Sequence, residues 1–255
     1  MFRAATFYME FAFGGAQGAS ADGYDLTLFA QRGAREGGFM VDGAVVVDPL
    51  PGDDLLTRLL DSGLPVVTAG RVMGRTSPHA VVEIPHGDLA HRMFDRLRAR
   101  GARRIAFARP APDFPASWVT DMGEAYENWC ADVGQEPALR SLTLPGTGQE
   151  LAEVIDELIA LPGGDALVVA AEGWAAWAKR ILAARGLEAG RSFQLGTLSG
   201  DPVTELPDPV ITCVRLGARQ FADEAFVLLL DILAGTAERD AHRMHQAALV
   251  TDELG

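Results

Sequence analysis

The stretch that most constrains the fold runs from Val41 to Arg71 and has the pattern strand, helix, strand. The run AVVV at 44–47 is short, apolar and rich in β-branched residues, which is typical of a strand buried in a parallel sheet. Asp53 and Asp54 then supply the acceptors and negative charge that favour the start of a leucine-rich helix. A second apolar run, PVVT at 65–68, follows that helix closely. Such short connections predict a right-handed parallel crossover.

The same alternation continues along the chain. Further strands are predicted at 25–30, 80–85, 104–108, 141–144, 166–171, 193–198, 210–214 and 242–251, and helices at 7–21, 88–100, 117–133, 148–161, 172–185 and 217–233. This pattern predicts a doubly wound α/β architecture. A break near Gly101 indicates two lobes, with strands starting at 44, 65 and 80 in one sheet and at 104, 166 and 193 in the other. Ligands of such folds bind beyond the carboxyl ends of the strands, so the cleft between the lobes is the predicted site.

Composition excludes several classes of function. A net charge of −13 argues against DNA binding by this segment alone, because an acidic surface repels phosphates. No apolar run is long enough to span a bilayer and no secretory signal is evident, which predicts a cytoplasmic protein without membrane contact. Cys130 and Cys213 are expected to be buried free thiols. No CxxC pair, HExxH helix, phosphate loop or nucleophile elbow is present, so we predict no metal, no cofactor and no enzymatic activity.

Several stretches resemble one known family. VDGAVVV at 41–47 and GLPVVTAGR at 63–71 are followed by RARGARRIAF at 98–107, by AAE at 170–172 before a helix, and by VITCVR at 210–215. In this order they resemble the effector-binding core of the lactose/galactose-repressor family of transcriptional regulators. Ala102 replaces the histidine usual in the third stretch. The resemblance covers most of the chain as far as Gly235.

The resemblance implies a two-lobed fold of the type I periplasmic-binding-protein kind, with parallel sheets flanked by helices. One lobe would hold residues 1–101 and 215–235, and the other 102–214 and 236–255. Members dimerise, bind a small effector, often a sugar, in the cleft, and bind operator DNA through an N-terminal headpiece that this sequence lacks. The family's first strand and most of a helix between residues 30 and 42 are also missing, which we interpret as trimming of a longer chain. The alternative to a transcriptional regulator is a solute-binding protein of a sugar transport system, which would share this fold.

The resemblance also points to ten residues for the cleft. They are Phe7, Tyr8, His86, Asp88, Trp118, Asp121, Glu172, Trp174, Ser199 and Asp201. Several have a structural alternative. Asp88 could be a helix N-cap, Glu172 a first-turn acid favoured by the helix dipole, and His86 an exposed loop residue. Trp174 and the two aromatic residues of the first helix could equally be core residues.

The family's sugar-gripping arginine, near the start of the helix at 117, has no counterpart in this sequence. Its position falls on Asp121 or Met122, and the latter belongs to an apolar stripe. Acids combined with aromatic side chains predict a polyhydroxylated or cationic effector and disfavour a phosphorylated one, which would need arginine, lysine or a bare helix N-terminus. Mutual repulsion of the acids is expected to keep the empty cleft open.

The resemblance further predicts a homodimer formed mainly by the helices at 53–62 and 217–234. The second of these helices has a long apolar side, which motivates this choice. Its residues are Phe221, Ala225, Leu228, Leu229 and Ile232.

Overall fold

The structure is a computed structural model that describes residues 6–29, 39–74, 79–144 and 146–250. Its helices are α1 (Thr6–Ala21), α2 (Asp54–Asp61), α3 (His86–Ala99), α4 (Ser117–Val133), α5 (Gly148–Ala160), α6 (Trp174–Ala184) and α7 (Ala218–Leu233). Its strands are β1 (Ala44–Val47), β2 (Val66–Ala69), β3 (Ala80–Glu83), β4 (Arg104–Pro110), β5 (Leu139–Leu142), β6 (Gly164–Val169), β7 (Gln194–Thr197), β8 (Ile211–Arg215), β9 (His242–Met244) and β10 (Ala248–Val250).

The strands form two separate sheets, which confirms the prediction of two lobes. Among the described residues, the first sheet has the order β1-β2-β3-β9 and the second the order β10-β8-β7-β6-β4-β5. Neighbouring strands are parallel except for β10, which runs antiparallel to β8. The carboxyl ends of the parallel strands therefore lie together at one edge of each sheet, where side chains of the following loops can converge.

The opening crossover forms as the sequence predicts. Asp53 is the N-cap of α2 and its side chain accepts from the backbone N–H of Leu56 at 2.9 Å. Gly63 has φ +77° just past the helix end, a conformation that glycine adopts without steric cost. β1 and β2 then pair in parallel over their full length.

Two elements lie outside the lobes to which the sequence assigned them. β9 pairs with β3 in the first sheet, and within the described residues 236–250 only β10 joins the second sheet. α3, expected in the first lobe, packs on α4 and on strands of the second sheet. α3 packs closely on β7, because a Cβ added to Gly196 of β7 would lie only 2.7 Å from the sulfur of Met93 in α3. The predicted boundaries therefore need revision at both elements, because packing rather than chain position decides them.

Three local predictions are wrong. Residues 25–29 form neither helix nor strand, and residue 30 of that predicted strand lies outside the described ranges. Asp88 does not cap α3, because the helix begins two residues earlier after Pro85, whose ring disfavours helix at the residue before it. Glu172 is not in the first turn of α6, because Gly173 has φ +82° and separates it from the helix start at 174.

The apolar side of α7 is buried inside the protomer, which corrects the reason given for dimerisation. Its five predicted interface residues are all less than 10 % exposed, and the helix packs along α1. Two glycines of α1 permit this approach, since a Cβ on Gly15 would lie 2.2 Å from the Phe226 ring. That side of α7 is therefore part of the core and not available to a second copy.

Two further observations bear on the expectations from composition. Cys130 and Cys213 are free and buried, as predicted. In the described parts of the chain, no helix combines the length and apolar character needed to cross a bilayer.

Candidate functional site: the cleft between the lobes

A cavity of about 100 Å³ lies where strands of both sheets end. From the first sheet, Asp48, Gly70 and Glu83 lie at the ends of β1, β2 and β3. From the second sheet, Glu172 and Ser199 lie just after β6 and β7. The starts of α1, α3 and α4 complete the lining with Phe7, Tyr8, His86, Ser117 and Trp118. The site is therefore at the position that the fold predicts.

Seven of the ten residues expected at the cleft line this cavity. They are Phe7, Tyr8, His86, Trp118, Asp121, Glu172 and Ser199. The structure thus brings together side chains separated by up to 192 positions, the difference between residues 7 and 199. Their roles in binding a ligand stay predictions.

The other three expected residues do not line the cavity. Asp88 is exposed on α3. Trp174 is fully buried in the core of the second lobe, which is the structural alternative left open for it. Asp201 is buried, and its carboxylate accepts hydrogen bonds from the backbone N–H groups of Val203 and Thr204 in its own turn. Its carboxylate is thus engaged in holding the loop.

Three polar atoms on the cavity wall are buried and have no hydrogen-bond partner among the described residues. They are His86 Nδ1, Trp118 Nε1 and Glu172 Oε2. A buried polar group without a partner costs about 1–3 kcal/mol. The indole N–H is a donor, the carboxylate an acceptor, and the imidazole nitrogen either of these. The three residues that carry these atoms line one cavity, so donors and acceptors without partners occur at the same place.

Glu172 connects the second lobe with the start of α1 in the first. Backbone N–H groups of Thr6 and Phe7 donate to its carboxylate. The negative charge of Glu172 therefore lies at the N-terminus of α1, the positive end of the helix dipole. Burial, followed by the nearby charge of Asp201, raises the pKa of Glu172 to about 7. Near neutral pH this side chain therefore exists in both protonation states.

The first lobe contributes a half-buried carboxylate that sequence reasoning missed. Tyr8 donates its hydroxyl hydrogen to Asp48 Oδ2 at 2.8 Å. Burial raises the pKa of Asp48 to about 6, and the bond from Tyr8 partly offsets that rise. Asp48 has φ +44°, and a Cβ on the neighbouring Gly70 would lie 3.1 Å from its Oδ1. Its position directly after a buried strand is the signal that could have identified it.

An arginine at the mouth of the cavity joins the two lobes. Arg71, two residues after β2, donates from Nη2 to both oxygens of Asp121 on α4 at 2.6 and 2.7 Å. Its Nε donates to Glu83 at 2.5 Å, and His242 Nε2 lies 2.9 Å from the other oxygen of Glu83. Burial and the charge of Arg71 lower the pKa of His86 to about 3, so that the ring is neutral. The predicted repulsion between acids is therefore relieved at Asp121.

A profile of the periplasmic binding protein-like domain matches residues 94–251, more than half of the chain. The chain belongs to this family. The match begins within α3 and extends through the second lobe into the segment where the chain returns to the first lobe.

Solved structures extend the likeness to the whole domain. A transcriptional regulator CelR–cellobiose complex has a TM-score of 0.83 at 22 % identity, over 99 % of this chain and 80 % of that one. A LacI-family regulatory protein from Chloroflexus aggregans gives 0.82 at 20 % identity, over 96 % and 91 % of the two chains. Regulator CcpA of Lactococcus lactis gives 0.78 at 19 %, over 97 % and 93 %. At these identities the likeness establishes the two-lobed fold. No curated protein sequence matches the chain significantly.

The described residues contain no group of three or more His, Cys, Asp or Glu side chains arranged to hold a metal ion. The cavity instead combines carboxylates, a neutral imidazole and three hydroxyl-bearing residues with aromatic and aliphatic walls. This chemistry fits reversible binding of a small molecule.

Proposed function

We propose that this chain is the effector-binding domain of a transcriptional regulator of the lactose/galactose-repressor kind. The observation that carries the proposal is the inter-lobe cavity with three unpartnered polar atoms, at the carboxyl ends of strands from both sheets. The regulators among its structural neighbours support it, since they share this architecture over nearly the whole domain. A solute-binding protein of a sugar transport system would share the fold, but the neighbours favour the regulator.

The proposed effector is a small hydroxyl-bearing molecule, neutral or cationic. Hydroxyl groups both donate and accept, so they match the indole donor and the carboxylate acceptor that lack partners. No lysine or arginine lines the cavity among the described residues, which disfavours a phosphorylated effector. Drug-sized ligands occupy pockets of about 300–1,000 Å³, so the smaller volume here points to a single-ring ligand.

The wider assembly belongs to the same proposal. Operator DNA would be bound through a headpiece not present in this sequence, and the protein would act in the cytoplasm as a homodimer. With its −13 charge, this chain alone should not retard duplex DNA in a mobility-shift assay at physiological ionic strength. For the dimer, α2 and the outer side of α7, which carries the exposed Val227, remain available, and light scattering at high concentration tests it.

A thermal-shift screen of sugars, polyols, nucleosides and amines tests the site. A binder at about 100 times its dissociation constant should add about 2.7 kcal/mol to stability. We expect Glu172→Gln and Trp118→Phe to weaken binding, because each removes a group that faces the cavity without a partner. Glu136→Gln, at an exposed position remote from the cavity, is the matched control. Equal binding by both cleft variants and the parent would contradict the site, and so would binding confined to phosphorylated compounds.

A further inference from the structure

The cavity is more acidic than hydrogen bonding to hydroxyl groups alone requires. Four carboxylates line it, on Asp48, Glu83, Asp121 and Glu172. The guanidinium of Arg71 at its mouth contacts two of them, Glu83 and Asp121. The remaining two have no cationic side chain within bonding distance among the described residues, and the imidazole of the cavity wall is neutral.

The helix N-termini around the site do not cancel this charge. α3 and α4 begin at the cavity without a side-chain cap, and their partial positive charges together balance about one carboxylate of the four. The free N–H groups of α1 are already met by Glu172, which accepts from the backbone at Thr6 and Phe7. Those of α6 are met by Glu205, which accepts from Gly173, Ala175 and Ala176. Each N-terminus carries about half an elementary charge. The positive ends of α1 and α6 are therefore engaged by protein carboxylates and are not directed at a ligand.

Tyr8 lies close to both of the acids that have no cationic partner in the described part of the chain. Its hydroxyl donates to Asp48, and the charge of Glu172 also acts on it. One small ligand can therefore reach both carboxylates in a cavity of this size. The unpartnered Glu172 Oε2 and the unpartnered nitrogens of His86 and Trp118 show independently that the same space lacks a polar occupant.

We propose that the effector carries a protonated amine as well as hydroxyl groups, and that Glu172 and Asp48 bind the ammonium while Trp118 and His86 bind the hydroxyls. The inference rests on the proposed function and narrows its ligand class to amino sugars or similar amino polyols. An ammonium provides three donors and no acceptor, which matches two carboxylates in their ionised form, and its positive charge favours that form at Glu172. Hydrogen bonds to ionised partners are about twice as strong as neutral ones.

The test compares matched ligands on the parent protein by calorimetry. Each single-ring amino sugar is measured beside its parent sugar and its N-acetyl derivative, starting with D-glucosamine, D-glucose and N-acetyl-D-glucosamine. For at least one such set, the amine should bind about tenfold more tightly than either neutral form, reflecting the stronger charged hydrogen bonds. Neutral forms that bind as tightly as the amine in every set, or that bind alone, would overturn the inference but leave the proposed function intact. No binding by any member of the thermal-shift panel would count against both.

Variants assign the ammonium site. Glu172→Gln and Asp48→Asn should each lower affinity for the amine about tenfold or more and change affinity for the parent sugar less, because only the charged contact is lost. Glu136→Gln should leave both affinities unchanged. If one cleft variant fails to fold, the other variant and the ligand comparison on the parent decide the outcome. Equal losses of affinity for the amine and for the parent sugar would show that these carboxylates do not bind the ammonium.

Discussion

Two glutamates of the second lobe, one buried and one half-buried, differ in how their carboxylates are bonded. Glu205 is completely buried, and its carboxylate accepts from the backbone N–H groups of Gly173, Ala175, Ala176 and Asp201 at 2.8–3.1 Å. Glu172 is near enough for the charge of Glu205 to raise its pKa further, yet one of its oxygens faces the cavity without a partner.

The difference separates an acid that holds the fold from an acid left for a ligand. Buried polar groups in folded proteins are normally hydrogen-bonded, so an exception calls for an explanation. Glu205 replaces the missing N-cap side chain of α6, which begins at a glycine in the left-handed conformation. Glu172 accepts from N–H groups at the start of α1, and these bonds use only part of the hydrogen-bonding capacity of its carboxylate. The cleft therefore contains a carboxylate oxygen without a hydrogen-bond partner among the described residues, whereas the carboxylate of Glu205 in the neighbouring core is bonded.

The largest effect should come from removing the structural acid. Glu205→Ala leaves four backbone N–H groups without their acceptor, and we expect a loss of at least about 4 kcal/mol in the free energy of unfolding. Urea denaturation at pH 7 measures it. Glu205→Gln, whose amide oxygen can still accept, should lose less. A change below about 1 kcal/mol in the alanine variant would show that Glu205 does not cap α6.

Asp48→Asn should change the pH dependence of stability. The pKa of Asp48 is about 6 in the folded protein against an ordinary 3.8, so the unfolded chain releases its proton first and stability falls as pH rises from about 4 to about 6. Asparagine does not ionise and tolerates a positive φ. Above pH 6 the variant should be more stable than the parent, by up to about 3 kcal/mol.

Urea titrations at intervals between pH 4 and pH 8 check this expectation. The gap between variant and parent should narrow toward pH 4, where Asp48 approaches protonation in both states. A gap that is constant with pH would contradict the ionisable role of Asp48.

Glu172→Gln should have an effect of the same sign and similar size over a higher range. The pKa of Glu172 is about 7 when folded against an ordinary 4.5, so its ionisation lowers stability as pH rises from about 4.5 to about 7. We expect the parent curve to fall more steeply than the variant curve over that range. Identical slopes would show that Glu172 does not titrate as its surroundings indicate.

The smallest effect on stability should follow from opening the contact between the lobes. Arg71→Gln removes the ion pairs of a partly exposed guanidinium with Asp121 and Glu83, so the loss should be about 0.5–1 kcal/mol for each pair. Its distinctive result is a larger radius of gyration in X-ray scattering, because Arg71 joins the first lobe to Asp121 of the second. Arg243→Gln breaks a comparably exposed ion pair with Asp231 within the first lobe and is the control. Equal radii for both variants would contradict the bridging role.

The sequence by itself determined the architecture of this chain. Short β-branched runs alternating with capped amphipathic helices predicted two parallel sheets, since strand burial and helix periodicity are local properties of the chain. They also placed the site at the ends of the strands, while the resemblance to a known family pointed to seven of the residues that line it. The strand predicted at 25–30 failed because an extended segment becomes a strand only when a neighbour supplies backbone partners.

The tertiary structure alone decided which polar groups at the cleft are free. The sequence predicts Asp121 and Glu172 equally as cleft acids. In the structure Arg71 forms an ion pair with Asp121, while an oxygen of Glu172 has no partner among the described residues. Asp48 acquired its role from burial against Tyr8, forty positions earlier. The free energy of a buried charge depends on which partners lie within a few ångströms, and those partners come from distant parts of the chain.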